Sequence, residues 1–530
     1  MLKLQGSSLD WALKHIENFG DTNIFPVPFE YEAIRYIWDE DTKELPNGKS
    51  FKEYLRNQDI LNWAVRSFKR SLTPKHKYGF RLSTQLDPLD TIIYTALVYE
   101  IGEDIEARRV PIEKNVSFSY RFKPNNEGRM FDPNINYRNF LEYCSSKVDL
   151  FLGDDSIQYV VVADIADFYP RMYLHPLENA LSSSTAKTNH AIAIKKLLNS
   201  WNYSISYGIP VGQSASALLA ELTLNDIDEG LLSEGVDFCR YVDDFRIFCK
   251  TKKEAYEQLA LLANMLFDNH GLTLQQHKTR ILSVEQFKEN YLKTEESMEI
   301  DSLNKKFSDI LGEFGIDDPY ASISYEMLPK DLQLAIDSMN LETILKEQLE
   351  LENIDTRIVG FILKRMAQLN NTDILDLILD NSEKLYSAFK HVFNYLNEVQ
   401  LTAVQKEEVS VKLYKILDSS IIGHLEFHRM WIFKTFSNGS GCNTERLTSF
   451  YNEYYDDFSR REIILALGTA NQQSWFRPKK RNAMEFPTWQ RRAFIKAAKC
   501  LPGDEASHWY RSILTRLDPL EIAVVKWSQK

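Results

Sequence analysis

The chain has 530 residues, more than one hydrophobic core organises, and its 44% hydrophobic and 12% aromatic content is ordinary for a globular protein, so two or three domains are expected. A formal net charge of −12 speaks against a surface suited throughout to nucleic acid, and any phosphate contact would need a confined basic channel. No apolar run approaches the roughly 20 residues that span a bilayer. Met1-Leu2-Lys3-Leu4-Gln5-Gly6 lacks an apolar signal core, and Cys144, Cys239, Cys249, Cys442 and Cys500 show no Cys-x-x-Cys spacing, which disfavours zinc and suits free thiols in a reducing cytoplasm.

Residues 1–120 mix helices and loops, with Phe25-Pro26-Val27-Pro28-Phe29 extended. Lys75, Lys77 and Arg81 cluster near a Pro-initiated turn, and Arg108, Arg109, Lys114 and Arg121 follow a helix. Such cations suit template phosphates or an incoming triphosphate, and equally a solvated surface. Tyr159-Val160-Val161-Val162-Ala163-Asp164 is short, β-branched and apolar, a buried strand ending on a carboxylate. Ile165-Ala166-Asp167-Phe168-Tyr169-Pro170 follows it. Tyr207-Gly208-Ile209-Pro210-Val211-Gly212-Gln213-Ser214 is a bent loop running into a helix, where Gly lets backbone approach a base pair or phosphate closely and Ser214 or Ser216 is a candidate N-cap.

Phe238-Cys239-Arg240-Tyr241-Val242-Asp243-Asp244-Phe245-Arg246-Ile247-Phe248 reads as a hairpin with adjacent carboxylates at its tip, and Cys239 and Cys249 flank it symmetrically. Asp164 and Asp243 are expected to face each other across adjacent strands, where two Mg²⁺ ions (or Mn²⁺) roughly 3.5–4 Å apart would be clamped. Asp243 is expected as a direct ligand and Asp244 as ligand or support. Lys278, in Gly271-Leu272-Thr273-Leu274-Gln275-Gln276-His277-Lys278, suits neutralising a departing pyrophosphate, or is a surface lysine. A polar stretch near 291–325 leads to a helical half. There Leu341, Ile344, Leu345 and Leu349 share one face, and Ile358, Phe361, Ile362, Met366 and Leu369 another. Trp475-Phe476-Arg477-Pro478-Lys479-Lys480-Arg481 interleaves aromatics with cations, a pattern for single-stranded nucleic acid or for a solvated loop.

Taken in order, the segments Asp164–Tyr169, Gly208–Ser216, Tyr241–Asp244 and Gly271–Ile281 resemble sequence blocks of reverse transcriptases. Gly20–Pro26, Gln85–Asp90, Ser119–Phe122 and Leu218–Glu221 make the chain similar to the bacterial antiphage-defence (abortive-infection) group. The resemblance implies an α+β fold: right-hand polymerase fingers over 1–120, a palm over 121–290, and an all-α C-terminal domain over 291–530, thumb-like or of helical repeats. It implies an RNA-directed DNA polymerase, templated by RNA (a co-encoded non-coding RNA), untemplated or protein-primed, that uses dNTPs and releases single-stranded DNA; the lack of a long apolar run points to no membrane partner, and the long helical half, with faces beyond those that cover the palm, points to a homo-oligomer. Retron- or intron-type enzymes and a catalytically silent nucleic-acid-binding scaffold are the alternatives. In this reading Asp164, Ile165, Asp243 and Asp244 hold the metals. Ile165, Ala166, Asp167, Phe168, Tyr169, Arg81, Arg121, Pro210 and Gly212 line the dNTP, with Tyr169 a sugar gate or a core residue. Lys75, Lys77, Trp475, Arg477, Lys479 and Arg481 hold nucleic acid. Val211 departs from the Gln that many retroviral and intron enzymes carry in that loop.

Overall fold

The strands that fix the position of the carboxylates are β3 (Tyr159–Asp164), β4 (Phe238–Tyr241), β5 (Asp244–Cys249) and β6 (Arg280–Ser283); a separate two-stranded sheet, β1 (Lys69–His76) and β2 (Gly79–Gln85), precedes them. This computed structural model describes residues 1–22, 24–39, 41–76, 79–149, 157–203, 205–292, 330, 341–439 and 441–530. Lys77 lies outside them, as does the polar stretch expected to follow the sheet from residue 293 to 325.

The four-stranded sheet has the order β4-β5-β3-β6, with every neighbouring pair antiparallel. β3 is central, which is why its sequence is apolar on both faces instead of alternating. Val160 and Val162 pack with Phe140, Cys144 and Val148 of the helix Tyr137–Asp149 and with Phe248, Leu282 and Phe287. The helix Lys252–His270 packs on β5 and β3. Cys239 belongs to the first of these clusters, its sulfur 3.6 Å from that of Cys144, while Cys249 lies opposite Tyr159. The two hairpin cysteines therefore do not face each other. Among the described residues no cysteine forms a disulfide.

The chain divides into two units. The first comprises residues 1–31, 37–70 and 83–294, and the second 32–36, 71–82 and 295–530. In the first, the helix Pro88–Arg108 packs against Gly6–Phe19, Leu174–Ser184, Thr188–Trp201 and Ser214–Thr223. Asp87 starts it, accepting from the Leu89 N–H with Pro88 in the first turn, where a missing N–H costs nothing.

In the second unit the described residues outside 71–82 are helices and turns. Thr356–Gln368, Phe389–Glu398, Glu426–Ser437, Asp457–Thr469, Thr488–Ala497 and Pro519–Ser528 stack in succession, each on the one before. Leu345 and Leu349, and Ile358, Ile362, Met366 and Leu369, are buried as their spacing predicts. No described helix is long and apolar enough to cross a membrane.

Candidate active site

Tyr241 ends β4 and Asp244 opens β5, so Val242 and Asp243 form the whole hairpin loop. Val242 takes φ +57°, the left-handed region that costs a β-branched residue most. Its N–H donates to Ser119 Oγ (2.8 Å) and its carbonyl accepts from Arg240 Nη1 (3.0 Å), so the strained residue is held from both sides. Beneath it lies a closed set of charges. Glu221, on the helix Ser214–Thr223, accepts from Arg240 (2.8 Å), Arg109 (2.7 Å), Ser117 (2.8 Å) and Ser119 (2.5 Å). Arg240 adds a two-pronged pair with Asp228, both contacts at 2.7 Å. Arg240, Glu221 and Asp228 are each at most 1% exposed. Burial alone would raise the Glu221 carboxyl, but the Arg240 and Arg109 charges outweigh it and hold it below its ordinary value.

The register sets Asp164 opposite Asp244, and the Ile165 N–H donates to the Asp243 carbonyl at 3.1 Å. The expected facing of Asp164 and Asp243 is thus offset by one residue, because Asp243 sits in the loop. Its carboxyl still feels Asp164. Burial first, then the Asp164 charge, push the Asp243 pKa up to about 7. Lys278 Nζ lies 3.0 Å from Asp164 Oδ2. Burial pulls this ammonium down, and the bond and charge of Asp164, with Asp243 and Asp244, raise it overall.

Asp244, expected as ligand or support, is paired with a neighbouring guanidinium. Arg246 takes its two carboxylate oxygens, one at 2.9 Å, with the guanidinium over the rings of Phe140 (5.4 Å) and Tyr291 (4.9 Å). Among the described residues no group of three or more His, Cys, Asp and Glu side chains converges as a metal cage. The Asp164–Asp243 pair is left, a donor set that suits a hard cation which keeps waters and takes phosphate oxygens.

The Ala166 N–H bonds the Thr273 carbonyl (2.8 Å) and the Gln275 N–H bonds the Asp164 carbonyl (2.7 Å), which ties the segment carrying Lys278 to the end of β3. With their N–H groups engaged, Ile165 and Ala166 have none to give a triphosphate. Asp167 is exposed with φ +48°. Phe168 is buried in the core, contrary to a nucleotide-lining role. Tyr169 is partly exposed, and its hydroxyl is pushed well above its ordinary value by burial and by the nearby Tyr120, Glu221 and Asp243.

The Gly208 loop lies along this segment. Gly208 N–H bonds the Met172 carbonyl (2.8 Å) and Ile209 N–H that of Tyr169 (3.0 Å). Gly208 has φ +96°, and an added Cβ would meet the Pro170 carbonyl at 3.1 Å, so the close approach needs glycine. Pro210 is buried, and Gly212 is partly exposed at φ +98°. Gln213, not Ser214 or Ser216, occupies the N-cap of the next helix, and its buried Nε2 has no hydrogen-bond partner among the described residues.

Other expected contacts fall elsewhere. Arg121 is 3% exposed and spends its donors on Glu106 (2.9 Å) and the carbonyls of Ser117 and Val110, so it cannot grip a triphosphate. Lys75 and Arg81 sit on the β1–β2 hairpin in the second unit. Trp475 is buried against Tyr451 and Phe476 and is unavailable for base stacking. Lys479 covers its ring at 4.3 Å, and Arg477 and Lys480 pair with Glu505, the first at 3.1 Å. Of that segment's cations Arg477 and Arg481 are exposed. The sequence reading missed the positioning roles of Ser119, Glu221 and Arg240. For Glu221 and Arg240 the signal was a charge set among apolar neighbours, in Ala217–Leu222 and Phe238–Tyr241; Ser119 carried no such signal.

Residues 119–306 match the family model for reverse transcriptase (RNA-dependent DNA polymerase). No curated protein matches the chain. Among solved structures it is similar to telomerase from Candida albicans in complex with a TWJ fragment of telomeric RNA, at 10% identity and TM-score 0.33, covering 67% of each chain. Apo telomerase from Candida tropicalis shows 10% identity and TM-score 0.31, covering 86% of this chain and 68% of that one. The Candida tropicalis enzyme with a TWJ fragment of telomeric RNA shows 12% identity and TM-score 0.31, covering 76% and 72%. The chain carries a reverse transcriptase domain and is an RNA-directed DNA polymerase, a nucleotidyltransferase.

Two predictions follow from the site's electrostatics. Arg240→Ala strands Glu221 and Asp228 in the interior and should cost about 3–5 kcal/mol in urea denaturation; a loss below about 1 kcal/mol would mean the cluster is dispensable. Asp243 is half-buried with its folded pKa near 7, above its unfolded value of 3.8. Its ionised form therefore costs stability, which falls as pH rises from about 4 through 7, by on the order of 3 kcal/mol. In EDTA the parent should lose Tm between pH 5 and 8, and Asp243→Asn should flatten that slope and melt higher at pH 8. Parallel curves for the two proteins would show that the Asp243 carboxyl carries no such burden.

Proposed function

We propose that this RNA-directed DNA polymerase transfers nucleotides at the Asp164–Asp243 pair with two divalent ions, Mg²⁺ by preference, and dNTPs as substrate. The observation that carries the reading is the raised Asp243 carboxyl beside Asp164, two desolvated like charges with one lysine between them and the reaction. Reverse transcriptase domains use divalent metal ions. When bound, such ions lower the pKa of the primer hydroxyl and stabilise the leaving oxygen. Asp164 and Asp243 hold them, and the frame of Arg240 and Glu221 fixes where Asp243 stands. Lys278, held at Asp164 and fully charged, neutralises the departing pyrophosphate and can donate its proton. Tyr169 screens the sugar: its ring lies near Asp243, where a 2′-hydroxyl would meet it.

In this reading residues 1–120 are the fingers, 121–290 the palm, and 291–530 a helical C-terminal domain. The partners are an RNA template co-encoded with the enzyme and a single-stranded DNA product. The protein acts in the cytoplasm as a homo-oligomer, in defence against phage. The defence role rests on the resemblance of the blocks Gly20–Pro26, Gln85–Asp90, Ser119–Phe122 and Leu218–Glu221.

Incorporation of labelled dNTPs on a primed RNA template tests the chemistry. Asp164→Asn and Asp243→Asn should each reduce kcat by at least 10³-fold, about 4 kcal/mol, with circular dichroism unchanged; retained incorporation by a folded variant would sink the assignment. Tyr169→Val should raise the NTP-to-dNTP ratio of kcat/KM, and an unchanged ratio would make Tyr169 a packing residue. Plaque counts on cells with the parent gene and its native flanking DNA should fall relative to cells with Asp243→Asn, and equal counts across a broad phage panel would remove the defence role.

A further inference from the structure

The loop that brings Gly208 to the Tyr169 segment is held at its neck by one side chain. Asn202 follows the helix Thr188–Trp201 and is 5% exposed. Its Nδ2 donates to the Gly208 carbonyl, and its Oδ1 accepts from Arg70 Nη2 on β1. The same Arg70 nitrogen reaches the Trp201 carbonyl at 2.8 Å. The Arg70 guanidinium lies 5.6 Å from the ring of Tyr203 and 5.9 Å from that of Phe68. All of these residues belong to the first unit. Between Asn202 and Gly208 the chain carries Tyr203, Ile205 and Tyr207, whose side chains stand exposed, so polar bonds, more than burial, close the neck.

The chemistry of the neck selects asparagine. A guanidinium only donates, so the amide oxygen must face Arg70; a carbonyl only accepts, so the amide nitrogen must face Gly208. Arg70 thereby fixes which way the amide points. Aspartate would keep the Arg70 contact and set a carboxylate oxygen against the Gly208 carbonyl oxygen. Leucine would drop both bonds at a buried position. What the neck holds is a short antiparallel ladder. Leu174 N–H donates to the Ser206 carbonyl (2.9 Å), Tyr173 pairs with Tyr207, Gly208 N–H donates to the Met172 carbonyl, and Ile209 N–H to that of Tyr169. The ladder therefore ends on the Tyr169 peptide. The far end of the loop is tied separately: Ser216 Oγ lies 3.0 Å from the Tyr94 hydroxyl, and Ile209 and Pro210 are buried. Loss of the Asn202 bond thus frees the Gly208 end of the loop and spares the helix that follows it.

We propose that Arg70 and Asn202 are positioning residues for nucleotide selection: they orient the Gly208 loop and, through its ladder, set where the Tyr169 ring stands against the sugar. This rests on the reading of Tyr169 as the residue that screens the 2′-hydroxyl. Asn202 is spent on Arg70 and Gly208, so it acts on the nucleotide only through the loop.

The test is single-nucleotide incorporation by the full chain on a primed RNA template, comparing kcat/KM for a dNTP and for its matching NTP. Asn202→Asp should raise the NTP-to-dNTP ratio at least threefold, with the loss for the dNTP falling on KM and its kcat kept within twofold. Arg70→Met, on a half-buried side chain, should move the ratio the same way, and it decides the matter where circular dichroism shows Asn202→Asp unfolded. Added to Tyr169→Val, neither change should move the ratio further, because the ring through which they act is gone. A purely structural asparagine would lower Tm and leave the ratio alone. If Tyr169→Val itself leaves the ratio unchanged, the sugar-screening reading fails and the relay fails with it. If Tyr169→Val raises the ratio but a folded Asn202→Asp or Arg70→Met protein does not, or if their effects add to that of Tyr169→Val, the relay alone is overturned.

Discussion

The site depends on a buried charge cluster more than on any apolar contact. Arg240 leaves β4 and meets Glu221 and Asp228 where water cannot reach, and Arg109 and two serines complete the set. None of these charges is stable alone at that depth; each is tolerable only because the others are in place. The consequence is geometric. Five chain segments, Arg109 at the end of the helix Pro88–Arg108, 117–119, 214–223, 225–233 and the β4–β5 hairpin, must assemble in one arrangement for the charges to be paired. That arrangement forces Val242 into the left-handed region and sets Asp243 beside Asp164.

The carboxylates above this frame are treated unequally. Asp164 has Lys278, and Asp244 has Arg246. Asp243 is left with a raised pKa and only remote help from Lys278. A folded chain without cations is electrostatically unsatisfied at that point, which is the usual state of a site whose ligand carries the missing charge. In the proposed reading, stability is given up locally where a cation would be held, and the paired cluster below offsets the loss.

Much of this was legible in the sequence, for reasons particular residues make plain. Tyr159–Ala163 is apolar on both faces and had to be a central strand. Tyr241–Asp244, with apolar flanks, had to be a hairpin. The one-residue offset between Asp164 and Asp243 was not legible, because register depends on loop length and the loop holds Asp243 itself. Arg121, Trp475 and Arg477 were misread together: composition reports a cation or a ring, not the carboxylate that claims it, and Glu106 and Glu505 become neighbours only in the fold.

Manganese binding tests the central assignment most directly, because it reports the cation without requiring template, primer or turnover. Electron paramagnetic resonance of Mn²⁺ titrated into the full chain at pH 8 should show ions held by the parent. Affinity should drop at least tenfold in both Asp164→Asn and Asp243→Asn, and again in the parent when the pH is lowered through 7 and Asp243 takes up its proton. Equal Mn²⁺ binding by parent and both variants would contradict the assignment of this carboxylate pair as the place where the metal, and with it the reaction, is held.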